Sequence, residues 1–142
     1  MGLLCLGPCV AQAFCGPIIL GDRLGSLVRT ARLTNNIVEL IALFHGLQYN
    51  MYGPCHLHYR IVFDSRYVAY DTQHLYRARL NIPVVQVLRC LAADAMAHAA
   101  ITWLWCRGHS SNLGHDVADV IASVGALGAS RCFCDCDDFL TV

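Results

Sequence analysis

Two β-rich runs separated by helical periodicity constrain the fold of this chain most. Residues 59–63 (Tyr-Arg-Ile-Val-Phe) and 100–106 (Ala-Ile-Thr-Trp-Leu-Trp-Cys) are rich in β-branched and aromatic side chains. Between them, Asp64-Ser65 can cap a helix that starts near Arg66 and runs to about Arg79. Asn81-Ile82-Pro83 then opens another, with Val84, Val87, Leu88, Leu91 and Ala95 on one face and Pro83 in its first turn. Strands joined through helices pair as a parallel crossover, so this stretch predicts a parallel pair.

The flanks complete the pattern. Ile37, Leu40, Ile41, Phe44 and Leu47 form an amphipathic stripe that Asn35 or Asn36 can cap, followed by a loop over 49–54. Before it, residues 3–6, 13–20 and 26–33 read as three strands, punctuated by Gly7-Pro8, Gly16-Pro17 and Gly21-Asp22-Arg23. Their short turns imply an antiparallel meander. After residue 106 comes a loop rich in Gly, Ser and Asn, then a helix over 115–124 with Val117, Val120, Ile121 and Val124 inward. The order is β-β-β-α-β-α-α-β-α. It predicts an α/β fold in which a mixed sheet is flanked by helices, one domain over 1–125 and a Cys/Asp-rich tail over 126–142.

A length of 142 residues suits one core. The first charged side chain is Asp22, yet Gly-Pro pairs interrupt the preceding run and no basic segment leads it. Two buried strands explain that run better than a signal peptide or membrane span. The formal net charge is zero, so any nucleic-acid binding must use a local patch. All ten basic residues are arginine; Arg23, Arg29 and Arg32 could meet phosphates, though a solvated face is their default. The nine cysteines are odd in number and irregularly spaced, which favours a reducing compartment, cytoplasm or nucleus. Cys5, Cys55, Cys90 and Cys106 lie in apolar stretches and read as small core residues.

The candidate chemistry lies in a few acids and one histidine. Glu39, the only glutamate, ends Thr34-Asn35-Asn36-Ile37-Val38-Glu39, a frame that also fits a capping box. Asp64 follows a strand, where ligands collect in sheets with parallel crossovers, but it could equally cap the next helix. Asp116 suits a helix N-terminus. Asp119 sits inside that helix, where aspartate has poor propensity, one turn from Asp116. His109, in the loop between strand and acidic helix, suits proton transfer. Acids from several elements suggest a divalent cation such as magnesium. Cys132-Phe133-Cys134-Asp135-Cys136 is spaced too tightly for the usual zinc knuckle, and His56-Leu57-His58 would share a strand face without an evident third ligand.

Taken in order, these motifs resemble ribonuclease H type 1, especially the ribonuclease H domains of retroelement reverse transcriptases. The resemblance covers roughly residues 3–125. The family's TNNxxEL is similar to Thr34 to Leu40, its strand-end DS to Asp64-Ser65, its strand leading into a G-H-S loop to Trp105-Cys106-Arg107-Gly108-His109-Ser110, and the AD of its last helix to Ala118-Asp119. It implies a ribonuclease H-like five-stranded sheet, three antiparallel hairpin strands then two parallel strands. It implies hydrolysis of the RNA strand of an RNA/DNA hybrid, with Glu39, Asp64 and Asp119 holding two Mg2+ ions (or Mn2+) and His109 moving protons. Thr34, Asn35, Asn36 and Ser65 would contact the hybrid backbone. The other partner it implies is the rest of a reverse transcriptase polyprotein, with no membrane.

The sequence departs from the family at its first strand, which normally ends in an aspartate that bridges both metals. Cys5-Leu6-Gly7-Pro8-Cys9 fits that frame with Leu6 in the aspartate's position. The glycine-rich segment after it is short, and the lysine-rich handle helix of some bacterial members is missing. The alternative is therefore a catalytically inactive hybrid-binding or scaffold domain from a decayed retroelement.

Overall fold

The computed structural model describes residues 2–6, 11–15, 34–108, 113–126 and 131–133. The chain divides into two compact units, one of residues 19–108 and one of residues 1–18 with 109–142.

The unit of residues 19–108 contains α1 (Asn35–Tyr52), β3 (His58–Phe63), α2 (Arg66–Thr72), α3 (Ile82–His98) and β4 (Ala100–Trp105), numbered after β1 and β2 of the other unit. β3 and β4 pair in parallel, from His58 opposite Ala100 to Phe63 opposite Trp105. The expected crossover is therefore present. The core is helical in origin: Ile37, Leu40 and Leu47 of α1 and Val84, Val85 and Leu88 of α3 are fully buried, with Val68 and Ala69 of α2 beside them. The stripe predicted from the 3.6-residue period is the buried one, apart from a half-buried Phe44. Helix α1 continues past the predicted loop start at residue 49 because Asn50 is itself buried in it. Gly53 ends it at a close approach, where the Tyr59 hydroxyl occupies the space a Cβ would need.

Helix α2 stops at Thr72, well short of the predicted Arg79. His74 adopts φ 61°, the left-handed region. The Leu75 amide bonds to the Tyr70 carbonyl at 2.8 Å and the His74 amide to the Asp71 carbonyl at 3.4 Å, the pattern of a Schellman cap. Arg89 of α3 fastens this end, donating from Nε to the Asp71 carbonyl at 2.7 Å and from Nη2 to the Tyr76 carbonyl at 3.1 Å. The Tyr67 hydroxyl donates to the Leu80 carbonyl and accepts from the Asn81 side chain, tying α2 to the start of α3. Pro83 lies in the first turn of α3 as expected.

The second unit contains β1 (Gly2–Leu6), β2 (Ala11–Cys15), α4 (Leu113–Ala126) and β5 (Arg131–Phe133). β1 and β2 form an antiparallel hairpin, with Leu6 opposite Ala11. The predicted strand over 13–20 is placed earlier, at 11–15, and that over 26–33 lies outside the described residues. β2 instead pairs antiparallel with β5, which comes from the stretch read as a tail. The described strands thus form a three-stranded sheet and a two-stranded sheet. Helix α4 packs on β1 and β2 with Ile121 buried. Val120, expected inward, is 53% exposed.

Two further expectations are corrected. Cys55 and Cys90 are exposed free thiols rather than core residues, and Cys106 is half-buried. His56 lies in the turn before β3, so it shares no strand face with His58, whose Nε2 lies 2.6 Å from Thr102 Oγ1. No helix among the described residues is long and apolar enough to cross a membrane.

Candidate functional site

Glu39 is the clearest case in which local structure removes a bland explanation. Thr34 is the N-cap of α1, and the Ile37 and Val38 amides bond to its carbonyl at 3.0 and 3.2 Å. Ile37 therefore holds the third helical position that a capping-box glutamate would need. Glu39 lies two residues further in, too deep to reach back to the helix start. Its Oε2 is buried and has no hydrogen-bond partner among the described residues. Burying an unpaired carboxylate oxygen costs free energy on the order of 1–3 kcal/mol or more. A cation supplied from outside would offset that cost. The side-chain arrangement of Glu39 is therefore suited to an oxygen-ligated ion.

Asp64 is exposed, at the bend where β3 ends. The helix-capping position falls to Ser65, whose carbonyl accepts the Ala69 amide at 3.3 Å. Neither Ser65 nor Thr34 makes a side-chain cap bond, so both leave their hydroxyls out of that role. The Cys106 amide donates to the Phe63 carbonyl at 2.8 Å, carrying the parallel pairing one bond past β4. The Trp105 indole Nε1–H donates to the Asp64 carbonyl at 3.0 Å, and the Arg66 guanidinium carbon lies 4.1 Å from the Trp105 ring centroid. Asp64, Ser65, Arg66, Trp105 and Arg107 thus collect at the carboxyl ends of the two parallel strands, the usual place for a ligand in such sheets.

Thr34 and Asn35 are exposed and Asn36 half-buried, all at the amino end of α1. Backbone amides at such an end are oriented toward anions. Glu39, Asp64, Thr34, Asn35, Asn36 and Ser65 all belong to the unit of residues 19–108.

Asp119 belongs to the other unit, on α4. Its close partner is His115, one turn earlier, with Nε2 3.5 Å from Asp119 Oδ2. His115 was not singled out in the sequence; the i, i+4 spacing of His115 and Asp119 was the available signal. Asp116 sits in the first turn, as its helix-terminus reading requires. His109 lies outside the described residues, as do Cys134 to Cys136. Within each unit, no three described His, Cys, Asp or Glu side chains gather closely enough to hold a metal by themselves. Trp105 stands in the sequence motif only as part of the strand leading into the G-H-S loop; its bond to Asp64, 41 positions away, has no sequence signal.

Residues 15–127, most of the chain, match the RNase H family. The Ribonuclease H of Aeromonas hydrophila subsp. hydrophila is 30% identical over 135 residues, which span 87% of this chain and 85% of that protein. That of Acidovorax sp. (strain JS42) is 32% identical over 103 residues, 65% of this chain and 68% of its own. That of Herminiimonas arsenicoxydans is 34% identical over 101 residues, with 65% and 67% covered. The family match takes in the stretches around Glu39, Asp64, His109 and Asp119, and with it the chain belongs to the ribonuclease H family.

Proposed function

We propose that this chain binds RNA/DNA hybrids and hydrolyses their RNA strand with the aid of Mg2+, for which Mn2+ can substitute. The observation that carries the reading is the buried, partnerless Oε2 of Glu39 on a helix whose capping it does not serve. An oxygen donor set of this kind fits a hard divalent cation. Glu39, Asp64 and Asp119 would hold the metal, two ions in the full arrangement. Bound there, the metal would activate water and stabilise the leaving oxygen of the phosphodiester. His109 would move a proton at that oxygen. Thr34, Asn35, Asn36 and Ser65, beside the amino ends of α1 and α2, would bond the hybrid backbone. Recognition would then read duplex shape and the 2′-hydroxyl rather than base sequence. We also assign the chain to an intracellular setting, as the ribonuclease H domain of a retroelement reverse transcriptase.

A second reading has its own support. Leu6 closes β1, opposite Ala11, and by the resemblance it would hold the place of the family's first aspartate. With leucine there, the site would lack a bridging carboxylate, and the domain would bind hybrid without cutting it.

One experiment separates the two: Mg2+-dependent cleavage of a labelled RNA/DNA hybrid by the native chain, Leu6→Asp and Asp64→Asn. Cleavage by the native chain that Asp64→Asn lowers at least about 100-fold supports the nuclease reading. Cleavage only after Leu6→Asp supports the lapsed nuclease. Hybrid neither cut nor bound by any of the three would sink both.

A further inference from the structure

We propose that Trp105 is a positioning residue for Asp64. Its indole bonds the Asp64 carbonyl while Arg66 stacks on the ring, and together these set the direction of the Asp64 carboxylate toward a divalent cation. This inference rests on the proposed role of Asp64 as a metal ligand.

Phe63 is the last residue of β3, opposite Trp105, and its carbonyl takes the Cys106 amide at 2.8 Å. The chain then bends at Asp64 and enters α2 through Ser65. Strand pairing ends one residue before Asp64. At such a bend the φ and ψ of Asp64 govern where its Cβ points, and a modest rotation moves the carboxylate by an ångström or more.

The Trp105 indole holds that peptide, and a second contact holds the indole. Indole Nε1–H is a donor with no acceptor function, so it pins a carbonyl without competing for the carboxylate. At 3.0 Å it has the length of an ordinary N–H···O bond. Arg66, two residues after Asp64, lies 4.1 Å over the centroid of the same ring. A cation on a tryptophan face is the strongest arrangement of its kind. The ring is therefore held by Arg66 on one side of Ser65 and itself holds Asp64 on the other. Trp105 is 42% exposed, so its ring contributes less to the core than a buried tryptophan would. Its neighbour Trp103 contrasts with it, its Nε1 being buried and without a partner.

Groups that orient metal ligands typically contribute about 10–100-fold in metal affinity. The test is a MgCl2 titration of the 15N-labelled full chain, read on the amide and indole resonances. The native protein, Trp105→Phe, Arg66→Gln and Asp64→Asn are compared. With only two tryptophans, the Trp105→Phe spectrum assigns both indoles.

The native Trp105 indole proton should shift saturably with the same midpoint as the Asp64 amide, while the Trp103 indole stays in place. Trp105→Phe, which keeps most of the ring, should weaken Mg2+ by about tenfold with its melting temperature little changed. Arg66→Gln should weaken it in the same direction and by less. Loss of Mg2+ binding in Asp64→Asn with native affinity in Trp105→Phe would leave the bond purely structural and overturn the proposal. A native titration unaffected by Asp64→Asn would overturn the metal role of Asp64 and this inference with it. Should Trp105→Phe fail to fold, Trp103→Phe assigns the indoles instead and the native indole decides: a silent Trp105 resonance beside a titrating Asp64 amide overturns the proposal.

Discussion

The two units hold their acids by different devices. In the unit of residues 19–108, Asp64 stands at the end of a parallel strand pair, and its carbonyl is bonded by a tryptophan from the neighbouring strand. Behind it, three helices contribute a fully buried core that includes Ile37, Leu40, Leu47, Val84, Val85 and Leu88. In the unit of residues 1–18 and 109–142, Asp119 stands on one helix and faces a histidine one turn away. One acid is located by backbone pairing that the core enforces, the other by a side-chain contact at the surface of a helix.

Core deletion should break this contrast most sharply. Leu88→Ala empties a fully buried site on α3 and should cost about 3 kcal/mol, read by urea unfolding. Ile121→Ala on α4 should cost less, about 2 kcal/mol, because Ile121 is 6% exposed and its helix neighbours are half-buried, so the site can relax. Equal costs would mean that the second unit is packed as rigidly as the first.

A smaller effect should appear at alkaline pH and belong to the first unit alone. Burial pushes the Tyr67 phenol above its ordinary range; the Asn81 side-chain bond opposes this, and the Asp71 carboxylate adds to it. The folded state therefore favours the neutral phenol. That contribution is fully present below about pH 10, where the unfolded phenol titrates, and is lost as pH rises through the raised folded value. Urea midpoints at pH 9 and pH 11 should fall more for the native chain than for Tyr67→Phe. Parallel falls would show that the link between α2 and α3 does not sense the phenol's charge.

The same contrast explains what could be read in advance. The stripe from Ile37 to Leu47, the first-turn Pro83 and the parallel pairing of β3 with β4 all follow from local periodicity joined to one chirality rule. The end of α2 did not, because its left-handed residue is His74, where glycine is the usual sign. Strand β5 did not either: three residues carry no alternation long enough to read, and β2, its partner, lies at the far end of the chain. The Asn36 to Glu39 spacing suggested a capping box, yet the helix starts two residues earlier at Thr34, which moves Glu39 out of that register. Cys55 and Cys90 read as core by composition but lie exposed, one in a loop and one on the outer face of α3. Asp64 was legible by position alone; the indole that holds its carbonyl was not, since nothing in a linear motif links residues 64 and 105.

The smallest expected effect sharpens the comparison at Asp119. The His115 side chain is 11% exposed and that of Asp119 47% exposed, so solvent screens much of the attraction that a protonated imidazole would have for the carboxylate. Pairs of this spacing on a helix contribute about 0.3–0.5 kcal/mol. His115→Gln, which keeps most of the volume of this largely buried side chain while removing the imidazole, should therefore lower the melting temperature by only about 1–2 °C in a chain of this size. If the contact merely parks the Asp119 carboxylate, its removal should leave hybrid cleavage, in whichever background cuts, within about twofold of the parent. A stability loss above about 1 kcal/mol, well beyond a screened pair, would make His115 and Asp119 a structural clasp. Asp119 would then be fixed as firmly as Asp64, and the distinction between the two units would fall.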